Sequence, residues 1–129
     1  MTHYLIDTDV LIDYLRATDK AIKFLEKTIP TATCYLSSIT VAELYAGIRE
    51  GKERHLFEKF LQAFEIVAVN TEIAKQGGLY RRDFGKEYGT GLADALIAAS
   101  AHHVNAKLVT LNKKHFPMLK NILIPYIKN

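Results

Sequence analysis

The residues of this chain able to do chemistry are mostly acids at the edges of apolar runs. Asp7 and Asp9 follow directly on Tyr4-Leu5-Ile6, Glu43 comes shortly after Cys34-Tyr35-Leu36, and Asp94 opens the run Ala95-Leu96-Ile97-Ala98-Ala99. A short apolar segment reads as a buried strand. An unpaired carboxylate beside such a segment costs several kcal/mol unless something compensates its charge. A metal ion, another cation or a set of backbone N–H donors would serve.

Each acid also has a plainer explanation. Thr40-Val41-Ala42-Glu43 fits a capping box, with Thr40 at the N-cap and Glu43 reaching back to its backbone N–H; the alternative makes Glu43 a metal ligand near a helix start. Asp7 and Asp9 suit a turn and an N-cap, although two acids around Thr8 exceed what one cap requires. Asp94 would gain ~0.3–1 kcal/mol from a helix dipole. That is little for a carboxylate beside a helix that is apolar or small on nearly every face, so a functional role is expected for it. Asp13 is expected only to solvate an exposed helix face. His102 and His103 are adjacent, so only one can face a given site, and they suit a helix C-terminus. Gly77-Gly78 lacks the spacing of a phosphate-binding loop and is expected to break or bend a helix. A single cysteine and no paired histidine spacing argue against zinc.

The elements that must position these residues alternate. Strands are expected at His3 to Ile6, Cys34 to Ser37, Ile66 to Val69, Lys107 to Thr110 and Ile122 to Ile124. Helical patterns cover Val10 to Leu15, Ala21 to Lys27, Val41 to Arg49, Arg54 to Phe64, Ile73 to Phe84 and Ala93 to His103. Strand and helix in alternation, joined by short turns, predict a three-layer α/β/α domain spanning 1–129 around a mostly parallel sheet of about five strands. In such sheets the site lies beyond the carboxyl ends of the strands, at the topological switch. Asp7, Thr40 with Glu43, Asp94, and Asn112 to His115 would then converge from four segments on one edge.

Composition sets the outer bounds. The chain has 129 residues, 49% hydrophobic and 24% charged, with a net charge of +3. That balance suits one ordinary globular domain and permits nucleic acid as a partner without demanding it. Lone Cys34 forms no internal disulfide, which points to a reducing, cytoplasmic compartment. No apolar stretch approaches a membrane span and no signal-peptide layout opens the chain.

Together, Leu5-Ile6-Asp7-Thr8-Asp9-Val10-Leu11-Ile12, Ser38-Ile39-Thr40-Val41-Ala42-Glu43-Leu44, Leu92-Ala93-Asp94-Ala95-Leu96-Ile97-Ala98-Ala99 and Leu108-Val109-Thr110-Leu111-Asn112-Lys113-Lys114-His115-Phe116 resemble the PIN-domain ribonucleases, and within them the VapC-type toxins. The resemblance implies a Mg²⁺- or Mn²⁺-dependent endoribonuclease in which Asp7, Glu43 and Asp94 bind the metal, supported by Thr8, Asp9 and Thr40. Metal-activated water would hydrolyse the RNA phosphodiester, chemistry that hard carboxylate oxygens and a divalent ion suit. The family often has Asn where Asp9 stands, and usually an acid at Asn112 or His115. Neither is acidic here, which leaves Asn112 to orient water and puts a full second metal site in doubt.

The same resemblance implies a cognate antitoxin and a homodimer, with candidate surfaces between Leu44 and Phe64, although Leu56, Phe57, Phe60, Leu61 and Phe64 also have plain core periodicity. Lys113, Lys114 and His115 are candidate RNA contacts. Arg49, Lys52 and Arg54 form another basic group, as do Arg81, Arg82 and Lys86; any one of these reads equally as surface charge. Two alternatives remain at this level. One is a haloacid-dehalogenase-like phosphatase with Asp7 as nucleophile. The other is a catalytically weak RNA-binding PIN module.

Overall fold

The computed structural model describes residues 2–128, so Met1 and Asn129 of the expected 1–129 domain lie outside the described residues. Its strands are β1 (His3–Ile6), β2 (Thr33–Ser37), β3 (Glu65–Val67), β4 (Lys107–Val109) and β5 (Ile122–Leu123). They form one sheet in the order β3-β2-β1-β4-β5, parallel at every pairing and not merely mostly so. The helices are α1 (Thr8–Leu15), α2 (Asp19–Thr28), α3 (Ser38–Gly47), α4 (Lys52–Leu61), α5 (Thr71–Tyr88) and α6 (Leu92–His103).

Side-chain alternation along the central strands builds both hydrophobic layers. Ile6 and Val109 join Val10, Leu11, Leu25, Leu44 and Phe57 on one face, where α1 to α4 supply the cover. Leu5 and Leu108 join Ile73, Ile97, Ala98, Ala101 and Phe116 on the other, under α5 and α6. A sheet buried on both faces needs apolar residues at consecutive positions, which is why β1 reads as a continuous run. The chain leaves β1 towards β2 and β3 on one side and returns to β4 and β5 on the other. The switch therefore lies between the carboxyl ends of β1 and β4.

Several local expectations change. The capping box is absent: Ser37 caps α3 by accepting from Ile39 N at 3.1 Å, which puts Thr40 in the first turn and Glu43 one turn further along the same side. Asp7, not Asp9, is the N-cap of α1. The third strand ends before Val69, whose N–H is taken by Ser38 Oγ at 3.1 Å in place of a neighbouring strand. Asp13 does not solvate an exposed face. It is 3% exposed and accepts from Tyr126 Oη at 2.9 Å and Lys128 Nζ at 2.8 Å, tying the C-terminal segment to α1. Of the residues between Leu44 and Phe64, Phe57 and Phe64 are core whereas Leu56 is 63% exposed.

Gly77 and Gly78 do not break α5, which runs unbroken through both. Gly77 is there for contact with α6: a Cβ on it would lie 2.5 Å from Leu96 Cδ2 and 3.2 Å from Leu96 Cα. At Gly78 a Cβ would meet nothing within 4 Å. Gly77→Val is therefore expected to destabilise by ~1–3 kcal/mol through overpacking. Gly78→Ala should stabilise by about 0.5–1 kcal/mol through helix propensity. Urea unfolding of the two variants checks the pair, and equal effects would contradict this packing.

Candidate functional site

The site is built at the switch point from the ends of β1 and β4. Parallel pairing of Ile6 with Val109 continues one step as Asp7 N donates to Val109 O at 2.8 Å, which brings Asp7 beside Thr110. Thr110 Oγ1 donates to Asp7 Oδ2 at 2.7 Å, while Thr8 N donates to Asp7 Oδ1 at 2.8 Å. Both carboxyl oxygens are thus held, and the group is buried. Asp9 leans to the same strand end, accepting from Leu111 N at 3.0 Å through Oδ2. Its other oxygen, Oδ1, is buried with no hydrogen-bond partner.

A second arm comes from α3. Thr8 Oγ1 donates to Glu43 Oε1 at 2.7 Å and lies 3.0 Å from Thr40 Oγ1. Glu43 is thereby linked to the residue that follows Asp7, and Thr40, fully buried, backs that link. The third arm is the start of α6, where Asp94 stands in the first turn after Gly91. Asp94 Oδ2 lies 3.4 Å from His115 Nδ1, and the Asn112 amide nitrogen lies 2.8 Å from that same ring nitrogen. The fourth segment therefore reaches Asp94 through His115. Lys113 and Lys114 stand exposed in the 3₁₀ turn that carries His115.

Electrostatics single out the two N-terminal acids. Burial pushes the Asp7 carboxyl up to about 7, and neighbouring Asp9 and Asp94 add to the rise against the hydrogen bonds from Thr110 and Thr8. Burial also raises Asp9, opposed by the N–H groups of Leu111 and Val10. The cost comes from removing negative charge from water beside other negative charge, and a bound cation would reverse it. Carboxylate donors of this kind, one with an orphaned oxygen, fit a hard divalent ion in chemistry. Among the described residues, no three His, Cys, Asp or Glu side chains already stand together as a formed metal cluster.

Thr110 and Thr90 were not among the candidates drawn from sequence. Thr90, fully buried, donates through Oγ1 to His115 O at 2.7 Å and so fixes the fourth segment to the α5–α6 turn. Thr110 carried a signal, a hydroxyl directly after an apolar strand run, but its partner is 103 positions away and only the β1–β4 pairing reveals it.

A profile of the PIN domain matches residues 4–120 of the chain. The chain is 39% identical over 124 residues, 95% of its own length and 98% of the relative's, to a protein named Ribonuclease VapC19 from Mycobacterium tuberculosis. Among solved structures it is similar to a chain of a toxin–antitoxin complex from Klebsiella pneumoniae, at a TM-score of 0.79 and 29% identity over 95% of this chain and 98% of that one. It is also similar to a chain of VapBC2 from Rickettsia felis bound to a DNA fragment from its promoter, at a TM-score of 0.76 and 28% identity, covering 95% and 96%.

The raised Asp7 carboxyl predicts a pH dependence for the metal-free protein. With the folded-state value at about 7 against an ordinary 3.8, the native chain keeps a proton that the unfolded chain has lost, so stability falls as pH rises through that window. Asp7→Asn keeps the shape and removes the charge. In EDTA its Tm is expected to exceed that of the wild type by a few degrees at pH 7.5 and by much less at pH 4. A constant offset across that range would contradict a buried, charge-repelled carboxyl.

Proposed function

Because the chain belongs to the PIN-domain family and, within it, to the VapC ribonucleases, we propose that it acts as the toxin of a toxin–antitoxin pair and cleaves RNA at a site where Asp7, Glu43 and Asp94 hold Mg²⁺ or Mn²⁺. The observation that carries the site assignment is the Asp7 carboxyl, buried at the switch point, gripped at both oxygens and disfavoured as an anion by Asp9 and Asp94. A carboxylate placed at that cost needs a cation to make sense. When bound, the divalent ion supplies an acidified water and neutralises charge on the phosphoryl oxygens.

The chain's own residues do the positioning. Thr110 and Thr8 fix the plane of the Asp7 carboxylate, and the Thr8 hydroxyl fixes Glu43. Asp9 offers a further carboxylate oxygen where the fourth segment has no acid. His115 stands beside Asp94, and Asn112, in contact with His115, orients the attacking water. Lys113 and Lys114 contact RNA phosphates, which gives affinity rather than sequence choice. The phosphatase alternative leaves Glu43 and Asp94 without a role and falls with the family membership.

Partners follow from the same reading. The similar solved structures include a chain of a toxin–antitoxin complex. Here a groove lined by Ile12, Leu15, Leu44 and Ile48 together with the charged Arg16, Glu43 and Glu53 suits an amphipathic segment of an antitoxin that covers the site. A homodimer is part of this proposal. Among the described residues, no helix is long and apolar enough to cross a membrane.

The test is cleavage of a mixed RNA set in Mg²⁺ or Mn²⁺, in EDTA, and by folded Asp7→Asn and Asp94→Asn proteins. Cutting should vanish in EDTA and fall roughly a hundredfold or more in each variant; cutting that persists would place the chemistry elsewhere. Metal at a hundredfold excess over its Kd should stabilise the wild type by about 2.7 kcal/mol. A metal-dependent rise in Tm with RNA binding but no cutting would identify a binding module with an incomplete catalytic set.

A further inference from the structure

We propose that Arg81 is a phosphate-binding residue of this site, seated on the α5–α6 turn to hold the backbone of the RNA beside Asp94; the proposal rests on the ribonuclease reading above. The seat is visible at Gly85, one turn further along α5. A Cβ there would fall 1.7 Å from Arg81 Nη1 and 2.8 Å from its Cζ. The guanidinium therefore occupies the volume that any other residue at position 85 would fill. Gly85 is not needed for backbone conformation, since the positive-φ glycines are Gly51 and Gly89. Its lack of a Cβ gives clearance both to the Arg81 guanidinium and to the Thr90 carbonyl oxygen.

The same point in space lies 3.2 Å from Thr90 O, so the guanidinium is laid against the turn Gly89-Thr90-Gly91. That turn is attached to the acidic site on its other side. The Thr90 hydroxyl holds His115 O, a Cβ on Gly89 would lie 3.6 Å from His115 Nε2, and one on Gly91 would lie 4.0 Å from Asp94 Oδ2. Arg81, His115 and Asp94 thus bracket one short turn.

Its charge is free for a ligand. Arg82 is engaged by Asp83 at 2.8 Å, Arg54 by Glu50 and Glu58, and Arg49 by Glu53. Among the described residues Arg81 has no ion pair or hydrogen bond. A guanidinium that is positioned but not neutralised presents a planar fork suited to phosphate oxygens. Lys113 and Lys114, exposed in the turn that carries His115, add further positive charge beside the acidic site. A polyanion approaching those carboxylates needs such charge.

Binding of a fluorescein-labelled random-sequence oligoribonucleotide, followed by anisotropy across a NaCl series in the uncut Asp7→Asn background, tests this. Arg81→Gln is expected to weaken binding roughly tenfold at low salt and to reduce the slope of log K against log salt by about 0.7, the value for one single-strand phosphate. Arg81→Lys should restore the slope without the full affinity. Gly85→Val, which keeps the charge but evicts it from its seat, should weaken binding while circular dichroism shows a folded protein. Arg82→Gln, whose charge is already spent on Asp83, should match the parent. An Arg81→Gln protein with the parent's affinity and slope would overturn the proposal, as would equal losses from Arg82→Gln, which would mean diffuse charge. A parent that binds no RNA at all would overturn the ribonuclease reading itself, and this assignment with it.

Discussion

A carboxylate at the end of the central strand has to be held where most of its water is lost, and much of the local structure follows from that. Asp7 leaves β1 between its neighbours β2 and β4, so both of its oxygens must find donors within the protein. One donor is the first N–H of α1, which makes Asp7 the helix cap as well as a candidate ligand. The other is the Thr110 hydroxyl, available only because β4 lies parallel to β1 in the register Ile6 to Val109. The same hydroxyl accepts from Asn112 N at 3.0 Å, which turns the chain after β4 towards Asp94. One buried acid thus couples the first strand, the first helix and the fourth segment.

The balance of charge around that acid sets this chain apart from the acid-rich pattern it resembles. Asn112 and His115, at the positions where the resemblance leads one to expect an acid, meet each other and Asp94 without adding negative charge. Asp9 adds it back on the β1 side, in a buried setting where its Oδ1 has no partner. The acids are therefore weighted towards the start of α1, while Lys113 and Lys114 stand exposed in the turn that carries His115. Arg54 of α4 is taken up by Glu50 and Glu58, and Arg82 of α5 by Asp83. Exposed pairs of that kind contribute little to stability; their consequence here is that they leave fewer free cations on the surface.

Alternation of apolar runs with helical periodicity was legible because both signals are local: strand β1 falls at its expected bounds, and the unbroken apolar face of α6 follows from burial on the sheet. The acids of the candidate site were legible for a related reason, since a carboxylate next to a buried run has few plain explanations. What misled was local chemistry with two solutions. Thr40 and Glu43 have the spacing of a capping box, but Ser37 starts α3 earlier and frees Glu43 to meet Thr8. Gly77-Gly78 looks like a helix break until α6 is seen pressing on Gly77 through Leu96.

The sequence by itself determined the order of elements, the parallel layered architecture and the identity of the acids, because hydrophobic periodicity and the cost of burying charge act on neighbouring residues. Only the tertiary structure decided which groups answer those acids. Thr110 for Asp7, Tyr126 and Lys128 for Asp13, and Thr90 for the turn that carries His115 are all partners distant in the chain. Such pairs depend on strand register and on which way the helices face, and a hydroxyl, a tyrosine or a lysine looks the same in the sequence whether or not a buried carboxylate will come to lie against it.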